Sequence, residues 1–238
     1  MMALSFRKGF LVAIHSLLPG VGFAQFDACL DQFPQHRIPV VSEQGRDLCF
    51  DSFAVYYSPL AKKPIYTVER LNRARLSGER PERAENFYEE ARLRSVERST
   101  LADYRGSGYD RGHNAPAADM PNNNAMAQSF SLANMMPQAP ENNRGVWAKD
   151  VERATRKFAM RAQGDVYVYT GSIGNAGIIG AGHVVVPQYL YKLVYDEAGH
   201  RAWAFWVPNT NDARVDGVIS YQELMRRTGY DFKLDVRN

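Results

Sequence analysis

The residue types that hydrolytic chemistry needs occur together in the segment YRGSGYDRGHNAPAADM, residues 104–120. His113 is the side chain best suited to accept a proton near neutral pH. Arg111, two positions earlier, carries a forked guanidinium that matches the geometry of a phosphate. Asp110 can cap the turn or orient neighbouring donors. A general base beside a phosphate-binding arginine suggests hydrolysis of a phosphodiester.

The surroundings of His113 set it apart from the other histidines that follow the N-terminal segment. Glycines crowd around it, at positions 106, 108 and 112, where a close approach of the backbone or a positive φ would require them. The remaining histidines stand in a proline-flanked loop, at the start of a predicted strand and in a turn: His36, His183 and His200. We predict structural roles for these three.

Phosphodiester hydrolysis also needs a counter-charge for the developing negative charge, and a divalent metal usually supplies it. Mg²⁺ prefers oxygen ligands and keeps most of its waters, so very few protein groups can hold it. Amide oxygens are concentrated in LANMMPQAPENNRGVW, with Asn134, Asn142 and Asn143. Asn143 directly precedes the clearest predicted helix, so a plain N-cap is the alternative to a metal ligand. The residues alone therefore indicate a metal-assisted phosphoesterase.

The elements that must position these residues alternate between strands and helices. FAVYYS and PIYTVERL, from Phe53 onward, alternate apolar and polar residues and predict a β-hairpin. A helix is predicted over about 144–162, with a buried stripe at helical spacing formed by Trp147, Val151, Ala154 and Phe158. Lys149, Arg153 and Arg156 form a second stripe, which we predict to be solvated. The charge-dense residues 69–99 predict a solvated, partly helical excursion.

The second half of the chain is rich in β-branched and aromatic residues. DVYVYTGS, HVVVPQYLYKLVYD and RAWAFWVPN each predict a strand. A last helix is predicted from the capping-box pattern at Ser220 to a stop at Gly229. This order predicts two or three helices around a central sheet. No glycine-rich phosphate loop or dinucleotide fingerprint occurs in the sequence.

The N-terminal 24 residues have the layout of a cleavable signal peptide, with Arg7 and Lys8 before an apolar run and a small-residue site at Ala24. A transmembrane anchor is the alternative, although the run is short and interrupted. We therefore expect a single domain over residues 25–238. Without the leader, the 29 basic residues become 27 against 26 acidic ones, so the net charge is +1 and a strongly basic surface is excluded.

The chain has two cysteines, Cys29 and Cys49, just after the predicted leader. An exported protein meets an oxidising compartment, where the two can form a disulfide that ties the N-terminal arm. Two cysteines do not suffice for a closed cysteine-rich zinc site. We therefore predict a structural role for both.

At this point DRGH at 110–113 and NMMPQAPENNRGVW at 134–147 resemble the DNA/RNA non-specific endonucleases of the ββα-metal class, a family that includes secreted bacterial nucleases and mitochondrial endonuclease G. ADYRGSGYDRGH, DVYVYTGS and VVVPQYLYKLV extend the resemblance to roughly residues 50–232. It implies an α+β fold with a central, mostly antiparallel β-sheet, flanking helices and long loops. It also implies hydrolysis of DNA and RNA to 5′-phosphate products.

The same resemblance implies a role for each site residue. His113 would activate the attacking water, and Arg111 would bind the scissile phosphate and stabilise the transition state. Asn143 would be the only direct protein ligand of one Mg²⁺, for which Mn²⁺ could substitute. Asn134 would belong to the hydrogen-bond shell that supports substrate binding. Contacts to nucleic acid would be mainly to the backbone, which carries no sequence information.

The sequence departs from the family pattern in two places. Family members often carry a glutamate eight residues after the metal asparagine, where it holds metal-bound waters, but here that position is Val151. Glu152 is the nearest acid, and one residue is a rotation of about 100° on an α-helix. We expect either a differently wound helix or a role for Glu152 from another angle. The second departure concerns a further phosphate-binding arginine, for which Arg83 is the first candidate and Arg80 the second.

Two other functions stay open from the sequence. One is a nucleic-acid-binding protein that has lost catalysis on the same scaffold, and the other is a phosphodiesterase for small nucleotides. The leader predicts a periplasmic or secreted location, with no membrane contact of the mature form. The resemblance also allows a homodimer and a protein inhibitor as partners.

Overall fold

The computed structural model describes residues 26–237. In chain order the strands are β1 (Arg46–Cys49), β2 (Phe53–Ser58), β3 (Lys63–Leu71), β4 (Asp110–His113), β5 (Met135–Gln138), β6 (Val166–Ile173), β7 (Gly177–Ile179), β8 (Val184–Val186), β9 (Tyr189–Asp196), β10 (Arg201–Pro208) and β11 (Ile219–Ser220). The helices are α1 (Arg73–Ser77), α2 (Leu101–Tyr104), α3 (Asn123–Ser129), α4 (Pro140–Asn142), α5 (Arg153–Ala159) and α6 (Tyr221–Thr228). A π-helix over Asn143–Glu152 joins α4 to α5.

Seven of these strands form a central sheet in the order β1-β2-β3-β6-β9-β10-β11. Every pairing within it is antiparallel. Two further pairs stand apart from it, β4 with β5 and β7 with β8. The predicted α+β class with a central antiparallel sheet is confirmed.

The hairpin predicted from Phe53 onward is confirmed as β2 and β3, but its burial differs from the expected alternation. Both strands are buried along almost their whole length on both faces. Tyr66 and Val68 belong to one apolar cluster, while Phe53 and Val55 belong to another on the opposite side. Because cores cover both faces, the alternating pattern expected of a half-solvated strand is lost.

The two faces of the sheet carry different parts of the chain. On one face, the N-terminal residues, α6 and the C-terminal segment around Phe232 cover tyrosines 66, 169, 191 and 195. On the other face, Trp147 and Val151 pack on Val168 and Val194. The π-helix is thereby anchored to the sheet, and the hairpin β4–β5 lies at its start.

The prediction of a long α-helix over 144–162 is wrong about where the helix starts and about how it is wound. The helical run begins at Pro140, Ala139 is its N-cap residue, and Asn143 already has helical φ and ψ of −56° and −52°. The N-cap interpretation of Asn143 is therefore wrong. Trp147 and Val151 are buried as predicted, but the stripe continues through Thr155 and Ala159, while Ala154 is exposed.

The later elements follow the sequence with one division. β6, β10 and α6 match the predicted segments, and Ser220 Oγ accepts the N-cap hydrogen bond from the Glu223 N–H at 3.1 Å. The long predicted strand HVVVPQYLYKLVYD is two strands, β8 and β9, separated at Pro187. A proline has no N–H to donate to a sheet, so the break at this residue has a direct cause.

The charge-dense segment 69–99 is only partly solvated. Most of its charges are exposed, but Glu69, Glu90 and Glu97 are buried. Glu90 accepts hydrogen bonds from Arg92 and from the hydroxyl of Ser131, which lies between α3 and β5. These contacts tie the excursion to the segment that precedes β5.

Cys29 and Cys49 are joined in a disulfide, with their Cα atoms 5.7 Å apart. The bond attaches the N-terminal residues to β1, the edge strand of the sheet. The predicted leader, residues 1–24, lies outside the described residues. Between residues 26 and 237, no helix combines the length and the apolar character that crossing a bilayer requires.

Candidate active site

The hairpin β4–β5 presents the DRGH segment. Asp110 pairs with Gln138, Arg111 with Pro137 and His113 with Met135. Gly112 faces the Gln138 side chain so closely that any Cβ there would collide with it. The glycine is therefore required by this approach, and it lets Arg111 and His113 project on the same side of the strand.

Six of the residues predicted from the sequence line one pocket of about 290 Å³. They are Arg83, Asp110, Arg111, His113, Asn143 and Glu152. The rest of the wall comes from Phe87, Ala148 and a short apolar stretch after the motif, Pro116 to Ala118. Residues far apart in sequence thus converge from β4, the π-helix and the excursion 69–99.

His113 is half-buried between two phenylalanine rings. Its ring centroid lies 4.9 Å from that of Phe130, edge to face, and 5.7 Å from that of Phe87. Burial, together with the charges of Arg83 and Arg111, lowers the pKa of His113 to about 3. Its Nε2 atom has no hydrogen-bond partner among residues 26–237. The imidazole is therefore neutral at physiological pH and can accept a proton.

Asp110 fixes the orientation of Asn143. Its Oδ2 accepts a hydrogen bond from the Asn143 Nδ2 at 3.0 Å. The same carboxylate receives two hydrogen bonds from Arg144, at 2.8 and 2.6 Å. Because the amide nitrogen of Asn143 is engaged by Asp110, its oxygen stays available as an acceptor or a metal ligand. Asp110 thus orients a neighbour, which is one of the two roles considered for it from the sequence.

The π-helix brings Glu152, and not Val151, to the pocket. Val151 is fully buried against the sheet, while Glu152 lines the pocket with Asn143. A π-turn holds about one residue more than an α-turn. In this π-helix, a residue nine positions after Asn143 therefore points to about the same side as a residue eight positions after it would in an α-helix. Glu152 is nine positions after Asn143. Gly145, with φ −98° and ψ −106°, marks the irregularity inside this segment.

Burial raises the pKa of Glu152 to about 7, against the attraction of Lys192, which lowers it. Asp119 adds to the increase by like-charge repulsion. Neighbouring carboxylates that resist ionisation together are a frequent feature of functional sites. Glu152 is thus a carboxyl group that exchanges its proton near neutral pH in the absence of a bound cation.

The arginines of the pocket rest on aromatic rings. The Arg111 guanidinium carbon lies 4.0 Å from the Phe87 ring centroid, and that of Arg83 lies 5.1 Å from the Phe130 centroid. Arg83 also approaches Glu85 at 3.9 Å, with both side chains largely exposed. Arg80 does not line the pocket. The aromatic rings hold the two guanidinium groups at the rim without consuming their hydrogen-bond donors.

A buried charged cluster behind the pocket was not predicted from the sequence. Arg156 donates to Asp119 at 2.9 Å with both side chains largely buried, so the prediction of a solvated Arg156 is wrong. Lys192 donates to the Thr170 hydroxyl at 2.6 Å and lies 3.9 Å from Glu69. Burial raises the pKa of Glu69 well above its ordinary range. A signal for Arg156 existed, since it stands four residues after Glu152 and so on the same helix face.

Asn134 has no exposed atom with which to contact a substrate. Its Nδ2 donates to the carbonyls of Ala115 and Ser129, and its Oδ1 accepts from the Ala115 N–H, each at 2.9 Å. Its assignment to substrate binding is therefore corrected. Asn134 ties the segment after His113 to the end of α3, and so supports the pocket from behind.

Comparison with known proteins agrees with this geometry. The family model described as DNA/RNA non-specific endonuclease matches residues 34–238. Mitochondrial endonuclease G of Homo sapiens is 35% identical over 161 residues, which are 62% of this chain and 54% of the relative. Nuclease C1 of Cunninghamella echinulata is 33% identical over 213 residues, 78% of this chain and 82% of the relative.

The fold agrees as well. The crystal structure of the EndoG/EndoGI complex, described as showing the mechanism of EndoG inhibition, superposes with a TM-score of 0.70 at 26% identity, covering 81% of this chain and 86% of the other. Against the full length of the mitochondrial relatives, the chain spans only about half, 54% for human endonuclease G. The residues that the family model matches, 34–238, include every residue that lines the pocket. The chain belongs to the DNA/RNA non-specific endonuclease family.

Proposed function

We propose that this chain is a metal-dependent endonuclease that hydrolyses phosphodiester bonds of DNA and RNA and leaves 5′-phosphate ends. The observation that carries the proposal is the convergence of His113, Arg111, Asn143 and Glu152 on one pocket. A neutral base, a free guanidinium, an oriented amide oxygen and a carboxyl group are the parts that such a hydrolysis needs. Family membership supports the same reaction.

In the proposed mechanism, His113 removes a proton from the attacking water. We assign this role to its Nε2, which has no hydrogen-bond partner within residues 26–237, and the lowered pKa keeps the imidazole neutral at neutral pH. The rings of Phe87 and Phe130 hold the imidazole in place. Proton acceptance by a positioned side chain typically contributes about 10²–10⁴-fold to the rate.

Arg111 and Arg83 bind the phosphate in this proposal. Both guanidinium groups line the pocket and lie over aromatic rings. A planar fork of donors matches two phosphate oxygens at once and stabilises the charge that develops in the transition state. Contacts of this kind read the backbone and not the bases, which fits both DNA and RNA as substrates.

The donor set of the pocket fits a hard divalent cation. The Asn143 amide oxygen and the Glu152 carboxylate are oxygen donors of the type that Mg²⁺ and Mn²⁺ prefer. Within residues 26–237 no cluster of three histidine, cysteine, aspartate or glutamate side chains could hold a metal. We therefore assign the cation to Asn143, where it would supply Lewis-acid stabilisation of the phosphate and the leaving oxygen. Glu152 would hold water next to it.

We further propose that residues 25–238 form one exported domain, periplasmic or secreted, behind a cleaved leader. The Cys29–Cys49 disulfide supports export, because such bonds persist in oxidising compartments. DNA and RNA are the proposed substrates, and a homodimer and a protein inhibitor are the proposed protein partners. The inhibitor is suggested by the EndoG/EndoGI complex, a structure of EndoG with its inhibitor.

The test of the proposed function uses residues 25–238 on supercoiled plasmid, single-stranded RNA and a cyclic nucleotide, with Mg²⁺ and with EDTA. The proposal predicts cleavage of plasmid and RNA with Mg²⁺ alone, and little hydrolysis of the cyclic nucleotide. Retarded but uncut plasmid would favour a binding protein that has lost catalysis. Preferential hydrolysis of the cyclic nucleotide would favour a phosphodiesterase for small nucleotides.

A further inference from the structure

A second pocket adjoins the candidate active site across Arg111. It measures about 330 Å³ and is lined by Leu101, Tyr104, Arg105, Tyr109, Asp110 and Arg111. Asp110 and Arg111 also line the first pocket, so the two pockets share a wall. None of the other four residues has a role in the mechanism above. A group attached to a phosphate bound by Arg111 would therefore lie next to this pocket.

The lining of this second pocket is aromatic and basic. Tyr109 is half-buried and packs on the cluster around Leu132 and Met135. Arg105 is exposed, and among the described residues it forms no ion pair. A tyrosine ring beside a free guanidinium is the combination on which nucleobases stack and to which phosphates bind.

A buried hydroxyl in the same lining has no partner. Tyr104 is buried, and its hydroxyl has no hydrogen-bond partner within residues 26–237. Buried polar groups in folded proteins are nearly always hydrogen-bonded, and exceptions often mark a place for water or a ligand. The Tyr104 hydroxyl is itself shielded from solvent, as are the unpartnered hydroxyls of Tyr66 and Tyr169 in the core, so the inference rests on the charge and the aromatic character of the pocket.

The loop that carries Tyr109 is fixed in place. Gly106 and Gly108 have left-handed φ values of 69° and 81°, which other residues rarely adopt. Ser107 Oγ donates to the Tyr104 carbonyl at 2.9 Å and accepts from the Tyr109 N–H at 3.2 Å. Because these contacts already restrict the loop, little conformational entropy is lost when a flat ring stacks on Tyr109.

We propose that the pocket formed by Tyr104, Arg105 and Tyr109 is a subsite for the nucleoside next to the scissile phosphate, whose base stacks on Tyr109. The inference rests on the proposed function, because it takes the phosphate on Arg111 as its anchor. Stacking tolerates every base, so the subsite strengthens binding without sequence specificity. Tyr109 is thus a substrate-positioning residue, distinct from the groups that carry the reaction.

Small diesters test the subsite directly. The substrates are methyl 4-nitrophenyl phosphate, which has no base, and the 5′- and 3′-(4-nitrophenyl phosphate) esters of thymidine. We expect Tyr109→Ala to raise KM about tenfold, equal to about 1.4 kcal/mol, for one thymidine ester, with kcat within twofold. The methyl diester should change less than twofold. Tyr109→Phe, which keeps the ring, should match the wild type, as should Tyr189→Ala, whose half-exposed ring lies outside both pockets.

Binding separates this inference from the proposed function. Anisotropy of a labelled single-stranded oligonucleotide is measured in EDTA with and without Tyr109→Ala, so that no cleavage is required. About tenfold weaker binding in Tyr109→Ala alone supports the subsite, even if the wild type cuts no substrate and the proposed reaction fails. Unchanged binding and unchanged KM overturn the subsite. An equal loss on the methyl diester and the thymidine esters also overturns it, since Tyr109 would then serve only the structure.

Discussion

Asp110 and Asn143, 33 positions apart in sequence, are joined by a 3.0 Å hydrogen bond from the asparagine Nδ2 to the carboxylate. The bond connects β4, which carries the base, to the first turn of the π-helix. It also decides which end of the Asn143 amide is free. In the proposed mechanism, the first residue of DRGH would orient the cation ligand and the last would activate the attacking water.

The Asp110–Asn143 bond predicts a metal-binding defect in Asp110→Asn. The substituted amide can offer its own N–H group to Asn143, so the Asn143 side chain can turn and withdraw its oxygen. We expect Mn²⁺ affinity, measured by titration calorimetry, to fall about tenfold, which is about 1.4 kcal/mol. Asp150→Asn, an exposed position on the same helix, is the control and should bind as the wild type does. Equal affinity in both variants would remove Asp110 from this role.

The π-helix predicts that the acidic function belongs to Glu152. We expect Glu152→Gln to lower kcat on plasmid DNA at least about 100-fold, in the range typical for loss of a positioned acid or base. Its thermal midpoint should not fall, because the substitution removes a carboxyl group whose ionisation burial opposes. Glu141→Gln, exposed on α4, is the matched control. Full activity of Glu152→Gln would show that the carboxyl group that the π-helix brings to the pocket is not needed for catalysis.

The pKa values of His113 and Glu152 predict opposing effects of pH on stability. For His113 the folded pKa of about 3 lies below the ordinary 6.5, so the unfolded chain binds more protons and stability falls as pH drops from 6.5 toward 3. For Glu152 the folded pKa of about 7 lies above 4.5, so its contribution is complete below pH 4.5 and is lost as pH rises to 7. The two trends oppose each other between pH 4.5 and 6.5.

Single variants should separate these trends. Relative to the wild type, His113→Asn should gain stability as pH falls from 6.5 to 4.5, because the proton uptake of its unfolded histidine is gone. Glu152→Gln should lose relative stability over the same interval. Urea unfolding with EDTA at several pH values measures both. Parallel curves for the two variants and the wild type would refute the assigned shifts.

The buried cluster predicts a large cost for removing its lysine. Lys192→Met leaves the Thr170 hydroxyl without its donor and the buried carboxyl groups without their cation. We expect a loss of unfolding free energy on the order of 3 kcal/mol, as for breaking a buried ion pair. The double variant with Glu69→Leu should recover part of it. A double-mutant cycle by urea unfolding gives the coupling, and strictly additive losses would contradict a direct interaction.

The sequence predicted which residues line the pocket, but it did not predict the helix winding that brings two of them there. His113, Arg111 and Asp110 are adjacent in the chain, and a short strand fixes their relation, so the motif implied their geometry. Asn143 and Glu152 depend on helix winding, which periodicity does not reveal. Trp147 and Val151 are four apart and would be buried together in an α-helix as well. The π-winding therefore left no mark on the apolar pattern.

Other errors arose from contacts distant in sequence. Arg156 was predicted to belong to a solvated stripe, because the sequence does not show that it forms an ion pair with Asp119. Asn134 was grouped with the substrate-binding residues as part of a supporting hydrogen-bond shell, but the sequence did not show that its partners are the backbone of Ala115 and Ser129. Asn134 was placed near the site by the sequence, whereas Arg156 was not. What the sequence lacked was the identity of the partner.

The most direct test of the account is the activity of His113→Asn in single-turnover cleavage of a labelled DNA duplex with Mg²⁺. The control, His36→Asn, makes the same substitution at an exposed position with φ 57°, which asparagine tolerates. We expect the single-turnover cleavage rate of His113→Asn to be at least about 100-fold lower than that of the wild type, with an unchanged circular dichroism spectrum and an unchanged Mn²⁺ affinity. The control variant should keep full activity. Cleavage within about tenfold of the wild type, about 1.4 kcal/mol of barrier, would contradict His113 as the base.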